Sequence, residues 1–259
     1  RDVERSRGLG DVYKRQKYRQ PVNGYDVTVM CLPYNYTYDK ERETEIWGNA
    51  LLYFEKEDNR FYIYNESFSD SVLYYVNEQE VRDNMILELD YLPKSTKEYL
   101  SHNSPFFFSD VDFDGEEELI INNWRCGTRH CNTYDVYKIT NNEVKQLTEA
   151  PFVNPTGKIS NYNSDFDSVN KTITIHKRTG SAYYGGYYKY SLVKRVDLNS
   201  YDRLSKCNEL ELIEAKIIDY DRNTSTCSFR RYKRIKDRLQ KIGEGKYDNV
   251  SEYDTIDIK

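Results

Sequence analysis

The sequence predicts a mainly β protein, built of antiparallel strand hairpins in a single sheet-rich domain with little helix. Three observations carry this. Tyrosine supplies 26 of the 259 residues and aromatic residues 15% of the whole, on a background poor in alanine and leucine. Such amphipathic rings suit a pleated surface with one packed face and one wet face. Short alternating runs bounded by Asn, Asp and Gly recur along the chain, whereas helical period over helical length is nearly absent. No run of about 18 apolar residues occurs, so no helix is expected to span a membrane. The net charge of −5 opposes general nucleic-acid binding.

The first sixteen residues stand apart. Gly8-Leu9-Gly10 followed by Asp11-Val12-Tyr13-Lys14-Arg15-Gln16 resembles the translation of a sequencing-adapter end, so residues 1–16 are read as an artefact and excluded from fold reasoning. The native N-terminus is then expected upstream, and the absence of a signal peptide carries no meaning. Cys31, in Val29-Met30-Cys31, lacks the preceding residues of a lipoprotein site and is read as a strand residue. Residues 17–228 are read as the β-rich domain.

Within it, Tyr25 to Leu32 alternates as a strand, Asn35 to Glu45 reads as a polar connection, and Ile46 to Phe54 with Arg60 to Asn65 makes a hairpin. Val72 to Val76 and Met85 to Tyr91 are further strands. Ser95-Thr96-Lys97-Glu98 has capping-box spacing, but Pro93 and the acidic stretch beyond leave room for only one helical turn. Thr133 to Ile139 pairs back through Thr140-Asn141-Asn142-Glu143 onto Val144 to Leu147. Phe166 to Thr174 and Tyr220 to Cys227 each run aromatic, Asp, polar turn, then Thr alternation, as hairpin apices do.

One stretch concentrates a single chemistry. Between the apolar runs Phe106-Phe107-Phe108 and Leu119-Ile120-Ile121, residues 110–118 hold six carboxylates in nine positions. A hard divalent cation wants oxygen ligands at such spacing, and without one the charges repel. Asp110, Asp112 and Asp114 occupy loop positions 1, 3 and 5, Gly115 the sharp turn, Glu116 the backbone-carbonyl position and Glu118 position 9. The twelfth position is Ile121 rather than glutamate, and both flanks are strand-like, so the loop is a calcium-binding connection between strands and not an EF-hand. An ion-free acidic turn is the plain alternative. Glu117 is expected to be solvated. Asn163-Ser164-Asp165-Phe166-Asp167 echoes the first five positions, but Lys171 at the ninth argues against a second site.

Five cysteines leave one over. Cys126 and Cys131 admit both a small disulfide loop and free thiols, Cys207 with Cys227 admits a bridge between strands, and the spacing around His130 fits no zinc ligand set. Tyr183-Tyr184-Gly185-Gly186-Tyr187-Tyr188-Lys189-Tyr190 reads either as a hairpin with alternate rings inward or as a flat binding surface. Phe229 to Ile242 carries seven basic residues, with Tyr232, Ile235, Leu239 and Ile242 near helical spacing. Residues 229–259 are therefore read as a basic C-terminal tail, a short amphipathic helix or an unstructured end.

From Pro105 to Asn122 the chain resembles a group of bacterial secreted proteins and lipoproteins, described as calcium-bearing, β-propeller-like relatives of periplasmic lysozyme inhibitors. The resemblance rests on Phe108-Ser109-Asp110-Val111-Asp112-Phe113-Asp114-Gly115 with Glu118-Leu119-Ile120, then Tyr134 to Tyr137, Asn170 to Ile173 and Tyr188 to Tyr190, in that order. It implies a propeller-like or similar sheet-rich fold, a periplasmic or cell-surface location, calcium held by Asp110, Asp112, Asp114, Glu116 and Glu118, and a protein partner such as a lysozyme-like cell-wall hydrolase. The chain departs from the group in having one loop rather than an array, and no inhibitory loop is identifiable by residue.

Enzyme activity is not expected. His102, His130 and His176 stand in no nucleophile motif, and carboxylate pairs such as Asp165 with Asp167 lie in turn contexts where chance pairs are common. The sequence thus points to a non-enzymatic, calcium-stabilised envelope protein that binds a macromolecule. A surface adhesin or sugar-binding module is the alternative, and a hydrolase the second.

Overall fold

The computed structural model describes residues 14–31, 35–39, 42–70, 86–101, 104–123, 132–140, 143–153, 157–179, 184–196, 206–221, 223–224 and 226–247, and every regular element in them is a strand. The mainly β reading therefore holds. The strands form three sheets, and the chain divides into two compact units: Arg1–Asp110 with Glu116–Leu147, and Val111–Gly115 with Thr148–Lys259.

In the first unit, β1 (Lys14–Tyr18), β2 (Asp26–Cys31), β3 (Asn35–Asp39), β4 (Arg42–Lys56), β5 (Asn59–Asp70) and β6 (Ile86–Leu89) make a mixed sheet ordered β3-β4-β2-β1-β6, with β5 on β4. The β1–β6 pair is parallel and the others antiparallel. β4 is long enough for its first half to pair with β3 and its second half with β2 while β5 runs along it. Asn35 to Asp39, expected as connection, is thus a strand; Tyr36, Thr37 and Tyr38 supply the β preference that polar neighbours obscured. Val72 to Val76 lies outside the described residues. At Ser95 the chain makes a hydrogen-bonded turn, with the Glu98 amide donating to the Ser95 carbonyl at 3.1 Å, and goes no further toward a helix.

β7 (Phe106–Ser109), β8 (Glu118–Asn122), β9 (Tyr134–Thr140) and β10 (Glu143–Gln146) form a four-stranded antiparallel meander. Every residue of β7 and β8 is buried, which explains their unbroken apolar runs. Phe106, Phe108, Leu119 and Ile121 join Val27, Val29, Leu52 and Phe54 of the first sheet in one core. Its rings interlock: Tyr25 stacks on Phe108 with centroids 5.7 Å apart, and Phe106 meets Tyr18 and Phe54 edge-on at 5.4 Å. A buried polar chain also crosses between the sheets. Asn65 on β5 donates to Asn123 at 2.6 Å, Asn123 donates to Asp135 on β9, and Gln146 on β10 donates to Asp135 at 3.0 Å.

β1 begins inside the span read as adapter-derived. Gln16 is fully buried, and neither amide atom has a hydrogen-bond partner in the protein. An orphaned buried amide costs about 1 to 3 kcal/mol. Gln16→Leu is accordingly expected to stabilise the protein by an amount of that order in urea denaturation; a loss of stability would show that the amide is satisfied.

The second unit carries β11 (Ser164–Asp167), β12 (Thr172–Thr179), β13 (Tyr184–Val196), β14 (Lys206–Asp221), β15 (Thr226–Ile235) and β16 (Arg238–Tyr247), six antiparallel strands in chain order. The Gly185-Gly186 pair sits within β13 and turns nothing. Gly186 is required there: its φ is +136°, and a Cβ would come 1.9 Å from the Lys216 carbonyl oxygen on β14. Burial drives the Tyr134 and Tyr137 phenols of the first unit well above the ordinary range, and that of Tyr190 on β13 up to about 12.

The basic segment read as helix or tail is the β15–β16 hairpin. Spacing of three and four at Tyr232, Ile235, Leu239 and Ile242 imitated a helix because the turn at Lys236-Asp237 and a bulge beside Tyr232 shift the strand alternation. The proposed Cys207–Cys227 bridge is also absent: Cys227 is a buried thiol opposite Tyr220. Cys207 lies thirteen residues back along β14, roughly 40 Å at about 3.3 Å per residue. Cys126 and Cys131 lie outside the described residues.

Candidate metal centre

The acidic connection is displayed from the most deeply buried hairpin of the first unit. β7 and β8 pair from Phe106 with Ile121 to Ser109 with Glu118, so residues 110–117 leave and re-enter a rigid base. Alternation continues into the loop. Val111 and Phe113 are buried, at 0% and 4% exposure, while Asp110, Asp112 and Asp114 between them are half-exposed. Two positive φ angles close the turn, 63° at Phe113 and 100° at Gly115. Left-handed backbone disfavours Phe113, and burial of its ring offsets that cost. At Gly115 a Cβ would meet nothing within 4 Å, so backbone angle rather than space selects glycine there.

Three of the five expected ligands converge. Carboxylate oxygens of Asp110, Asp112 and Glu118 all lie within 4.8 Å of one another. Two oxygens about 2.4 Å from one calcium ion can be at most that far apart. Glu118 is 1% exposed, and its Oε1 is 3.8 Å from the Lys138 ammonium on β9. Asp114 and the Glu116 side chain are not in the group; Glu116 is exposed, and its expected contribution is a backbone carbonyl. Asp112 has a second task, accepting the Asp114 amide at 3.1 Å. Glu117 is exposed and accepts from Asn23 Nδ2 at 3.2 Å. Lys171, the residue that argued against a second ion loop, donates to the Phe113 carbonyl at 3.2 Å.

The donor set is all oxygen, which suits calcium or magnesium and disfavours zinc. Three carboxylates with one ammonium leave two formal negative charges, the charge one divalent cation neutralises. One of the three, Glu118 at the start of β8, is buried, where an uncompensated carboxylate is costly. The residues present therefore fit a hard divalent ion.

Asp165 and Asp167 are engaged elsewhere. Asp165 is within 2.7 Å of His176 Nε2, with the aspartate side chain 78% exposed. Asp167 accepts from Asn170 Nδ2 at 2.7 Å and from the Val169 and Asn170 amides, and these bonds hold its carboxyl below the usual range. His102 and His130 lie outside the described residues.

No helix among the described residues is long and apolar enough to cross a membrane. No protein-family model matches the chain, and no curated protein matches it. A solved structure described as a Xanthomonas type IV secretion system related protein is similar to it, with 11% identity and a TM-score of 0.49 over 88% of this chain and 93% of that one.

Proposed function

We propose that this is a non-enzymatic, calcium-stabilised protein of the periplasm or cell surface whose β scaffold binds a macromolecular partner, with a cell-wall hydrolase as the partner the family resemblance implies. The observation that supports the calcium centre is the convergence of Asp110, Asp112 and Glu118 around a buried carboxylate. The ion's task is structural. Asp110 and Asp112 come from the loop and Glu118 from β8, so an ion shared among them ties the loop's departure to its return. The Asp165 and Asp167 carboxylates already hold His176 and Asn170 partners. Isothermal titration with calcium is expected to give one site per chain, with magnesium binding more weakly because it keeps its waters and demands octahedral geometry. The absence of calcium heat and of calcium-dependent protection of residues 110–118 from hydrogen exchange would remove the centre from the proposal.

A further inference from the structure

The β15–β16 hairpin holds eight Lys and Arg against two acidic residues, Asp237 and Glu244, in a chain whose net charge is −5. Its two faces differ. On one face three cations have an acid, Arg230 with Asp219 at 2.6 Å, Arg234 with Glu211 at 3.5 Å and Lys241 with Glu244 at 3.0 Å, while Lys246, opposite Ser228, is exposed. The other face carries Arg231 and Lys233 on β15, with Arg238 opposite Ile235 and Gln240 opposite Lys233. All five side chains are exposed, Ile235 at 45%, and none of these three cations has an acidic partner among the described residues. Glu214, across from Lys233 on β14, accepts the Tyr187 hydroxyl.

Edge protection explains only part of this. Lys241, Lys246 and the bulge on β16 blunt an edge strand, as lysines and bulges commonly do. Arg231 and Lys233 lie on β15, an interior strand, and guard no edge. Gly243, opposite Arg231, adds a second observation: a Cβ there would meet nothing within 4 Å. Packing does not demand that glycine, and its bareness leaves the surface beside Arg231 open.

We propose that this face docks an extended acidic peptide segment of a partner protein, an inference that rests on the partner-binding reading above and names its surface. Carboxylates two residues apart on an extended chain stand about 6.7 Å apart, the same repeat that separates Arg231 from Lys233 on their own strand. Arginine forks match carboxylates, and the exposed Ile235 offers an apolar contact between charges. Long polyanions fit less well. Nucleic acids are held by many phosphate contacts at once, whereas this face offers three exposed cations, one of them across from Glu214, on a chain that is acidic overall.

The test is fluorescence anisotropy with the full chain and a labelled peptide alternating glutamate and valine. Binding is expected, and the triple variant Arg231→Gln, Lys233→Gln, Arg238→Gln weakens it at least about tenfold, while Arg230→Gln with Lys241→Gln changes it less than about twofold. Equal losses on the two faces, no binding, or tighter binding of a single-stranded oligonucleotide or a phosphatidylglycerol vesicle overturns the proposal. Peptide binding that persists in EDTA, beside a failed calcium titration, removes the metal centre and supports this surface. Calcium binding without peptide binding does the reverse.

Discussion

Asp112→Asn is expected to lower stability in calcium and to raise it in EDTA. With ion present, the substitution removes one charged ligand from the group formed with Asp110 and Glu118. Most of the ligand-linked stabilisation then disappears, about 2.7 kcal/mol when free calcium is one hundred times the dissociation constant. Without ion, the same change relieves repulsion among carboxylates within 4.8 Å of one another. Asparagine keeps an oxygen for the Asp114 amide, so the turn itself is preserved. Chemical denaturation of both proteins in both conditions reads the crossover. Asp165→Ala is the control: its carboxylate faces His176, and its effect is expected to be the same with and without calcium. A matching calcium dependence in both variants would mean that the ion sits elsewhere.

Asn123→Leu is expected to cost about 3 to 5 kcal/mol in either condition. Asn123 is 4% exposed, accepts from Asn65 and donates to Asp135, which is itself 8% exposed. Leucine strands the Asn65 amide and withdraws a donor from a buried carboxylate, and interior groups left so are far dearer than the bond they formed. Gln146→Leu removes only the half-buried donor at the far end of the chain and is expected to cost about 1 kcal/mol. Similar small losses for both would show that the polar chain does not hold the two sheets of the first unit together.

The strands that alternate apolar and polar residues were legible because one buried face imposes period two: Val27, Val29 and Cys31 on β2, or Ala50, Leu52 and Phe54 on β4. The acidic loop was legible for a similar reason, since alternation there sends Val111 and Phe113 inward and the aspartates outward. Other features are settled by a neighbour more than by local pattern. Asn35 to Asp39 is a strand because β4 offers it an edge, and Gly186 is glycine because the Lys216 carbonyl passes close by; both facts belong to the neighbour. The β15–β16 hairpin was misread as a short helix or an unstructured tail because it is exposed on both sides over much of its length, which removes the buried face that would have marked its period. Division into two units was hidden too, as hydrophobic patterning marks which residues are inside without saying which interior they share.

Thermal unfolding in EDTA and in millimolar calcium tests the central claim most directly. A calcium-bound centre at Asp110, Asp112 and Glu118 predicts a higher melting temperature in calcium, lost in Asp112→Asn and kept in Asp165→Ala. Identical melting temperatures in EDTA and calcium for the unmodified protein would contradict it, and the acidic connection would then be a turn held by Lys138 and its own backbone.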